Sequence, residues 1–278
     1  MSDPLELLRA RYGAAHVPGS ASRYAPEAIN PVLETLLAHR SVRGFRSDAL
    51  PGGTLELLIA AAQSAPSSSN LQTFSVVSLE EPERKARVAT LAADQNFIRE
   101  APLFLAWLVD LSRLQHIASA AGVTAEGLEY LDTFLMGAID AALAAQNVVT
   151  AAESLGLGTV YVGALRNRPL EVARELGLPK SVFPLFGLAV GRPDEARPAS
   201  VKPRLSQALV LHREQYGTTP IDSGIESYDA LIAEFNRSQN LPPARWTERT
   251  LERVRTASAL RGRDELREQL VVQGFELK

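Results

Sequence analysis

Apolar positions along the chain follow two periods, and the alternation between them outlines the fold. Leu5, Leu7 and Leu8 predict a short helix, followed by a small, polar, Pro-rich stretch, so residues 1–30 read as an N-terminal extension. Between 30 and 39, Val32, Leu33, Leu36 and Leu37 recur at helical spacing and stop at His39-Arg40-Ser41. Thr54 is expected to cap a helix running to about Gln63. Pro66 to Asn70 is a polar loop. Residues 74–79 predict a strand, and 103–109 predict another, apolar enough to be buried on both faces. The longest element is a helix over 124–155, with Leu128, Leu131, Leu135, Ile139, Ala142, Leu143 and Val149 on one broad stripe. Its alanines suit close helix packing across a subunit boundary, and Gly156 and Gly158 are expected to end it. Residues 159–162 and 185–190 predict strands, with a helix near 168–176. Helical segments follow near 223–237, 247–256 and 262–272. Few strands, many helices and no regular βα alternation argue for an α+β fold, not a doubly wound sheet.

Composition narrows the chemistry. The chain has 278 residues, enough for one large domain or two small ones. Lys and Arg total 29 against 32 Asp and Glu, so no global positive field exists to hold a nucleic acid. Cysteine is absent, which excludes disulfides, thiolate nucleophiles and iron–sulfur clusters. Any redox role needs a bound cofactor. No stretch reaches the roughly 18–20 apolar residues of a membrane helix. The amphipathic start lacks the order of a signal peptide, so the expectation is a soluble cytoplasmic protein.

The glycine cluster 156–163 invites a dinucleotide reading. However, the third glycine position is Tyr161, and the cluster follows a helix and opens a strand, so a Rossmann site is rejected. None of His16, His39, His116 and His212 has a second histidine at metal-ligand spacing, and no metal is expected. His39-Arg40-Ser41-Val42-Arg43 is denser: an imidazole, two guanidiniums and a hydroxyl follow an apolar helix. In extended chain Ser41 and Arg43 share a face, and an arginine fork matches a phosphate. A solvated helix end explains the same residues. The 66–72 loop offers hydroxyls and backbone N–H groups, for a polar ring or simply for a turn. Lys202-Pro203-Arg204 places two cations on a Pro-restricted segment, a phosphate site or a basic loop.

Taken together and in order, these segments carry a resemblance. HRSVRGF (39–45), SAPSSSNLQ (64–72), AADQNFI (92–98), the 144–167 run, PLFGLAVGRP (184–193) and KPRL (202–205) resemble the nitroreductase/flavin reductase superfamily, closest to the group A oxygen-insensitive NAD(P)H nitroreductases. The similarity runs from about 33 to 275 and leaves residues 1–30 outside. It implies a nitroreductase-like domain over 31–278 with a helical C-terminal region and a central mixed sheet flanked by helices. It also implies an intertwined homodimer holding FMN at its interface. By the same resemblance, His39, Arg40, Ser41 and Arg43 contact the FMN phosphate and ribityl chain, and Lys202 and Arg204 close on the phosphate and ring edge. Ser67, Ser68 and Ser69 approach from the partner subunit or its neighbourhood, and Gln95 addresses the pyrimidine edge. Tyr161, Val162, Gly163 and Ala164 run beside the ring. The family often has glycine where Ala164 stands, serine where Pro66 stands and an aromatic where Asn70 stands.

The resemblance implies an FMN-dependent NAD(P)H oxidoreductase working by a ping-pong cycle. Its acceptors would be small molecules such as nitroaromatics, quinones or free flavin, with no nucleic acid or membrane partner. No catalytic side chain is required, because hydride transfer belongs to the flavin. Arg237, Arg245 and Arg263 are the candidates for NADPH or acceptor contacts, with Pro242 and Pro243 stiffening that loop; use of NADPH and NADH, with NADPH modestly favoured, is expected. A non-catalytic flavin sensor or carrier on the same fold is the alternative, and a dehalogenating or flavin-fragmenting enzyme would need a lid longer than 110–125 offers.

Overall fold

The computed structural model describes residues 4–13, 29–217 and 221–278. The Pro-rich stretch 14–28, with His16, lies outside the described residues. The order is α1 (Pro4–Tyr12), α2 (Pro31–Leu37), α3 (Thr54–Gln63), β1 (Phe74–Leu79), α4 (Pro82–Leu91), α5 (Asn96–Glu100), β2 (Leu103–Asp110), α6 (Ser112–Ala121), α7 (Leu131–Ser154), β3 (Gly158–Val162), α8 (Pro169–Leu176), β4 (Val182–Gly191), α9 (Ile221–Ser238), α10 (Trp246–Val254) and α11 (Leu266–Gln273). The chain divides into two compact units, residues 1–40 with 200–259 and residues 41–199 with 260–278.

The larger unit is built on a four-stranded sheet of order β1-β2-β4-β3, antiparallel throughout. The parallel component of the expected mixed sheet is a single bridge of Ser41 on Thr159. Strand period explains why β2 reads as continuously apolar. Leu103, Leu105 and Trp107 face Leu58 and Ala62 of α3 and Ala144, Ala145, Val148 and Val149 of α7. Phe104, Ala106 and Leu108 face Val88, Ala89 and Ile98 from α4 and α5, with Val172 of α8. Side chains alternate between faces, so a strand covered on both sides has no polar position to spare. A third cluster joins Val109, Leu111 and Phe183 to Leu270 of α11 and Phe275.

The strands match the expected segments, with β4 longer by several residues. The expected 124–155 helix begins only at Leu131: Glu126–Glu129 form a separate 3-10 turn and Tyr130 is extended. Thr54 is the first helical residue of α3 rather than its cap, which is Gly53 at φ +82°. Gly156 closes α7 as expected, at φ +76°, with Leu157 N–H returning to the Ala152 carbonyl. Gly158 serves another purpose: a Cβ there would lie 2.7 Å from Val42. The helices α4, α5 and α6 fall where apolar spacing predicts no element. α4 buries one short face, and α6 buries no side chain at all. Among the described helices α7 alone is long and apolar enough to cross a membrane; here it packs on α3 and the sheet and carries a buried Asp140.

The smaller unit combines α1, α2, α9 and α10 with residues 200–217. Leu7 and Leu8 of α1 and Tyr228 and Ile232 of α9 are buried. Trp246 at the start of α10 meets Tyr228 edge-on at 5.5 Å.

Candidate functional site

The predicted site residues fall into both units. In the smaller one, α2 is started by the Asn30 side chain, which accepts from Val32 and Leu33 N–H, and it ends at Ala38. His39 and Arg40 follow, His39 half-buried and Arg40 exposed. The Lys202-Pro203-Arg204 segment has no regular structure, yet its backbone is held at every residue. Arg11, buried on α1, donates to the Lys202 carbonyl at 2.9 Å, and the Arg204 N–H donates to the Arg11 carbonyl at 2.8 Å. The Tyr228 hydroxyl donates to the Pro203 carbonyl at 3.0 Å. Burial raises the Tyr228 pKa, against the opposing pull of Arg204, so this hydroxyl stays a donor. Pro203 is buried while Lys202 and Arg204 are exposed on either side of it. Arg11 also donates to the Leu37 carbonyl at 2.8 Å and the His39 carbonyl at 2.9 Å. The two cationic segments are therefore neighbours, joined through the Arg11 guanidinium. Beside Arg204 lies an open cavity of about 490 Å³ lined by Tyr12, Leu205, Gln207, Val210 and Leu211.

In the larger unit, Val42 N–H donates to the Thr159 carbonyl at 2.9 Å, which lays Ser41 and Val42 along the start of β3, while Phe45 pairs with Pro193 beyond β4. Val42 and Phe45 are buried, whereas Ser41 and Arg43 are exposed on the other face. The expected alternation of Ser41 and Arg43 is present.

The serine loop is anchored to α7. Asp140 is 2% exposed and accepts from the Ser67 hydroxyl at 2.6 Å, the Ser68 N–H at 3.1 Å and the Thr73 hydroxyl at 3.0 Å. Ser67 in turn accepts from Gln72 N–H at 2.8 Å. Its hydroxyl is thus a fastener of the loop. Ser68 and Ser69 are the exposed hydroxyls, with Ser69, Asn70 and Gln72 all at positive φ. Non-glycine residues hold that region only when their surroundings enforce it.

Val162 and Ala164 are buried, so their side chains point inward and their backbone is what the β3 end can offer. Tyr161 is 39% exposed and meets Phe186 edge-on at 5.4 Å. Its pKa is pushed up, mainly by burial and then by Glu153, which keeps the phenol neutral. Residues 163–167 form a 3-10 turn whose Arg166 donates to the Leu185 carbonyl. Arg263 Nε donates to the Asn167 side chain at 2.8 Å, so this late arginine is brought to the turn that contains Gly163 and Ala164. The preceding Gly262, at φ +85°, stands where a Cβ would be 2.7 Å from the Asn167 carbonyl. Gln95 starts α5 after two positive-φ residues, Ala93 and Asp94, and donates to the Ala92 carbonyl at 3.1 Å.

Arg237 and Arg245 are both exposed in the smaller unit. Arg237 is in the last turn of α9 and Arg245 immediately precedes α10, where its N–H donates to Glu248 at 3.2 Å. The linker between them is tied by Asn236, 1% exposed, which donates to the Ala244 carbonyl at 3.1 Å. Thr247 donates twice to Asp229; burial works to raise that carboxyl, but the hydrogen bonds hold it below its usual value.

Two residues that organise these segments were not among the sequence candidates. Asp140 had a signal, a lone acid inside the apolar run of α7. Arg11 had none, since it precedes every recognisable motif.

A family model described as the nitroreductase family matches residues 36–192, and one for the C-terminal domain of that family matches residues 202–278. An "FMN reductase (NADPH)" of Bacillus subtilis is 38% identical over 214 residues, covering 76% of this chain and 85% of that protein. Among solved structures, NfrA2 of B. megaterium superposes with a TM-score of 0.84 at 37% identity, over 90% of this chain and 100% of the other. The NADPH:FMN oxidoreductase from Vibrio harveyi, complexed with NAD+, gives 0.79 at 32% identity, again over 90% and 100%.

Proposed function

This chain belongs to the nitroreductase family, and from that premise we propose how its own residues serve the activity. It is an FMN-dependent NAD(P)H oxidoreductase. FMN, when bound, supplies the two-electron chemistry. The protein has to bind, orient and set the local charge.

The observation that carries the residue assignment is a repeated local design. At 41–43 and at 202–204 a buried residue pins the backbone while the polar or cationic residues on either side are exposed. Each group of donors is of the kind that holds a phosphate ester, and the family resemblance assigns Ser41, Arg43, Lys202 and Arg204, with His39 and Arg40, to the phosphate and ribityl chain. Lys202 and Arg204 add positive charge that favours the reduced, anionic flavin. Gln95 takes the pyrimidine edge of the ring. The backbone N–H groups of Val162, Gly163 and Ala164 would serve the ring, because buried side chains at 162 and 164 leave only main chain to present, with Tyr161 beside them. Ser68 and Ser69 offer hydroxyls from a loop that Ser67 and Asp140 hold in shape.

The working unit in this reading is a homodimer. Leu131, Leu135, Ile139 and Leu143 recur every four residues on α7, and all four are exposed. Such a stripe on a soluble protein is a surface meant for a partner. A ping-pong cycle, in which nucleotide and acceptor would bind in turn at the same site, belongs to this reading. Nitroaromatics, quinones and free flavin are the acceptors, and the enzyme works in the cytoplasm. Arg237, Arg245 and Arg263 are assigned to the nucleotide or the acceptor, with NADPH modestly preferred. The reading as a non-catalytic flavin carrier is set aside, since the relatives bear reductase names.

The test is direct. The purified protein should be yellow, release FMN on heating, bleach on anaerobic addition of NADPH and regain colour with a quinone or nitroaromatic. Release of FAD, or a bound flavin that NADPH and NADH leave oxidised, would overturn this reading.

A further inference from the structure

We infer that Arg11, on the N-terminal helix that precedes the matched family segments, is a positioning residue for the flavin phosphate. This rests on the phosphate assignment of Lys202, Arg204 and the His39–Arg43 segment given above.

Arg11 is 7% exposed although it is an arginine. Its guanidinium donates to the carbonyls of Leu37, His39 and Lys202, and its own carbonyl accepts from Arg204 N–H. One residue thus hydrogen-bonds the backbone of both cationic segments, 28 residues away on one side and 191 on the other. A rigid, planar fork with five donors can span acceptors on two strands of chain; a lysine ammonium on a flexible stem cannot hold the same three with comparable geometry. Removing the fork leaves half-buried carbonyls unanswered and frees Lys202 and Arg204 from His39.

The matched family region begins at residue 36, so α1 precedes it. The helix is anchored independently by burial of Leu7 and Leu8, and a Cβ at Gly13 would lie 3.0 Å from Leu231 of α9. The Arg11 guanidinium is directed at backbone carbonyls, so its part is to space the groups assigned to the phosphate. The consequence is selective: loss of the clamp should weaken ligands that carry the phosphate and spare those that lack it.

The experiment titrates apo-protein with FMN and with riboflavin, following flavin fluorescence, for wild type, Arg11→Ala, Arg11→Lys and Lys202→Ala. Riboflavin has the same ring and no phosphate. Arg11→Ala should lower FMN affinity about tenfold or more while riboflavin changes less than about twofold, and Arg11→Lys should fall between. Adding Arg11→Ala to Lys202→Ala should cost less than the two single effects combined. An equal loss for both flavins, or unchanged FMN binding, would overturn the clamp. If Arg11→Ala does not fold, Arg11→Lys decides by the same ratio. Lys202→Ala separates the two readings. A fall in its FMN-to-riboflavin ratio, with none for Arg11, overturns only the clamp. An unchanged ratio for Lys202→Ala overturns the phosphate assignment, and the clamp with it.

Discussion

The Ser67 hydroxyl donates a 2.6 Å hydrogen bond to the buried Asp140 carboxylate, tying the serine loop to the middle of α7. Because Asp140 also receives Ser68 N–H and Thr73 Oγ1, it acts as a hub whose loss strands several donors at once. Asp140→Ala is expected to cost about 2–4 kcal/mol and Ser67→Ala about 1–2 kcal/mol in urea unfolding. A midpoint unmoved in Asp140→Ala would show that the loop is held by something else.

Arg43 is exposed opposite buried Val42, and Lys202 is exposed beside buried Pro203. Truncating either should remove a charge-assisted contact proposed for the phosphate without disturbing a core. Arg43→Ala and Lys202→Ala should each weaken FMN binding about ten- to a hundredfold, as expected for about 1.5–3 kcal/mol. Equilibrium titration of the apo-protein reads this, and two unchanged isotherms would move the phosphate site.

The α7 stripe predicts the oligomeric state. Ile139 is 57% exposed at its centre. Ile139→Glu should shift light-scattering mass towards the monomer and release flavin with it. A variant that remains dimeric and yellow would place the interface elsewhere.

Arg237 and Arg245 are proposed to bear on nucleotide choice. Losing one phosphate contact should reduce discrimination without abolishing turnover. The kcat/KM ratio for NADPH over NADH is expected to exceed one in wild type and to fall in Arg237→Ala, in Arg245→Ala or in both. A wild-type preference for NADH would remove both residues from this role.

Lys85 is 4% exposed, with its ammonium donating to the Ala101 carbonyl. Burial lowers its pKa below the ordinary 10.5, with Glu80 opposing the shift. The unfolded state then binds more protons than the native state between the lowered value and 10.5, so wild-type stability gains as pH rises through that window. Lys85→Met lacks this dependence. Its stability relative to wild type should therefore decline from neutral pH towards pH 10 in chemical unfolding; a constant difference would contradict it.

The strands were legible because β2 and its neighbours are short apolar runs bounded by polar turns. Helices α7, α8 and α9 were legible because their stripes repeat at the helical period. α4 and α6 were not, since a helix that buries one short face or none leaves little periodic signal. The start of α7 was misplaced because Leu128 continues the stripe into the 3-10 turn, where only backbone geometry marks the break.

At the site, local pattern and motif order were enough to name the cationic and polar segments, and even the alternation of Ser41 with Arg43, because strand period is a property of consecutive residues. What those segments meet was decided only in three dimensions. Ser67 bonds Asp140 at a separation of 73 residues, and Arg11 bonds Lys202 at 191. Periodicity tells which face of an element is buried, but it carries no record of which distant group lies across from it. The sequence by itself therefore determined the strands, the long helix and the candidate residues. The tertiary structure decided that Ser67 fastens a loop, that Gly158 makes room for Val42, and that Arg11 joins two cationic segments, because each depends on packing between remote parts of the chain.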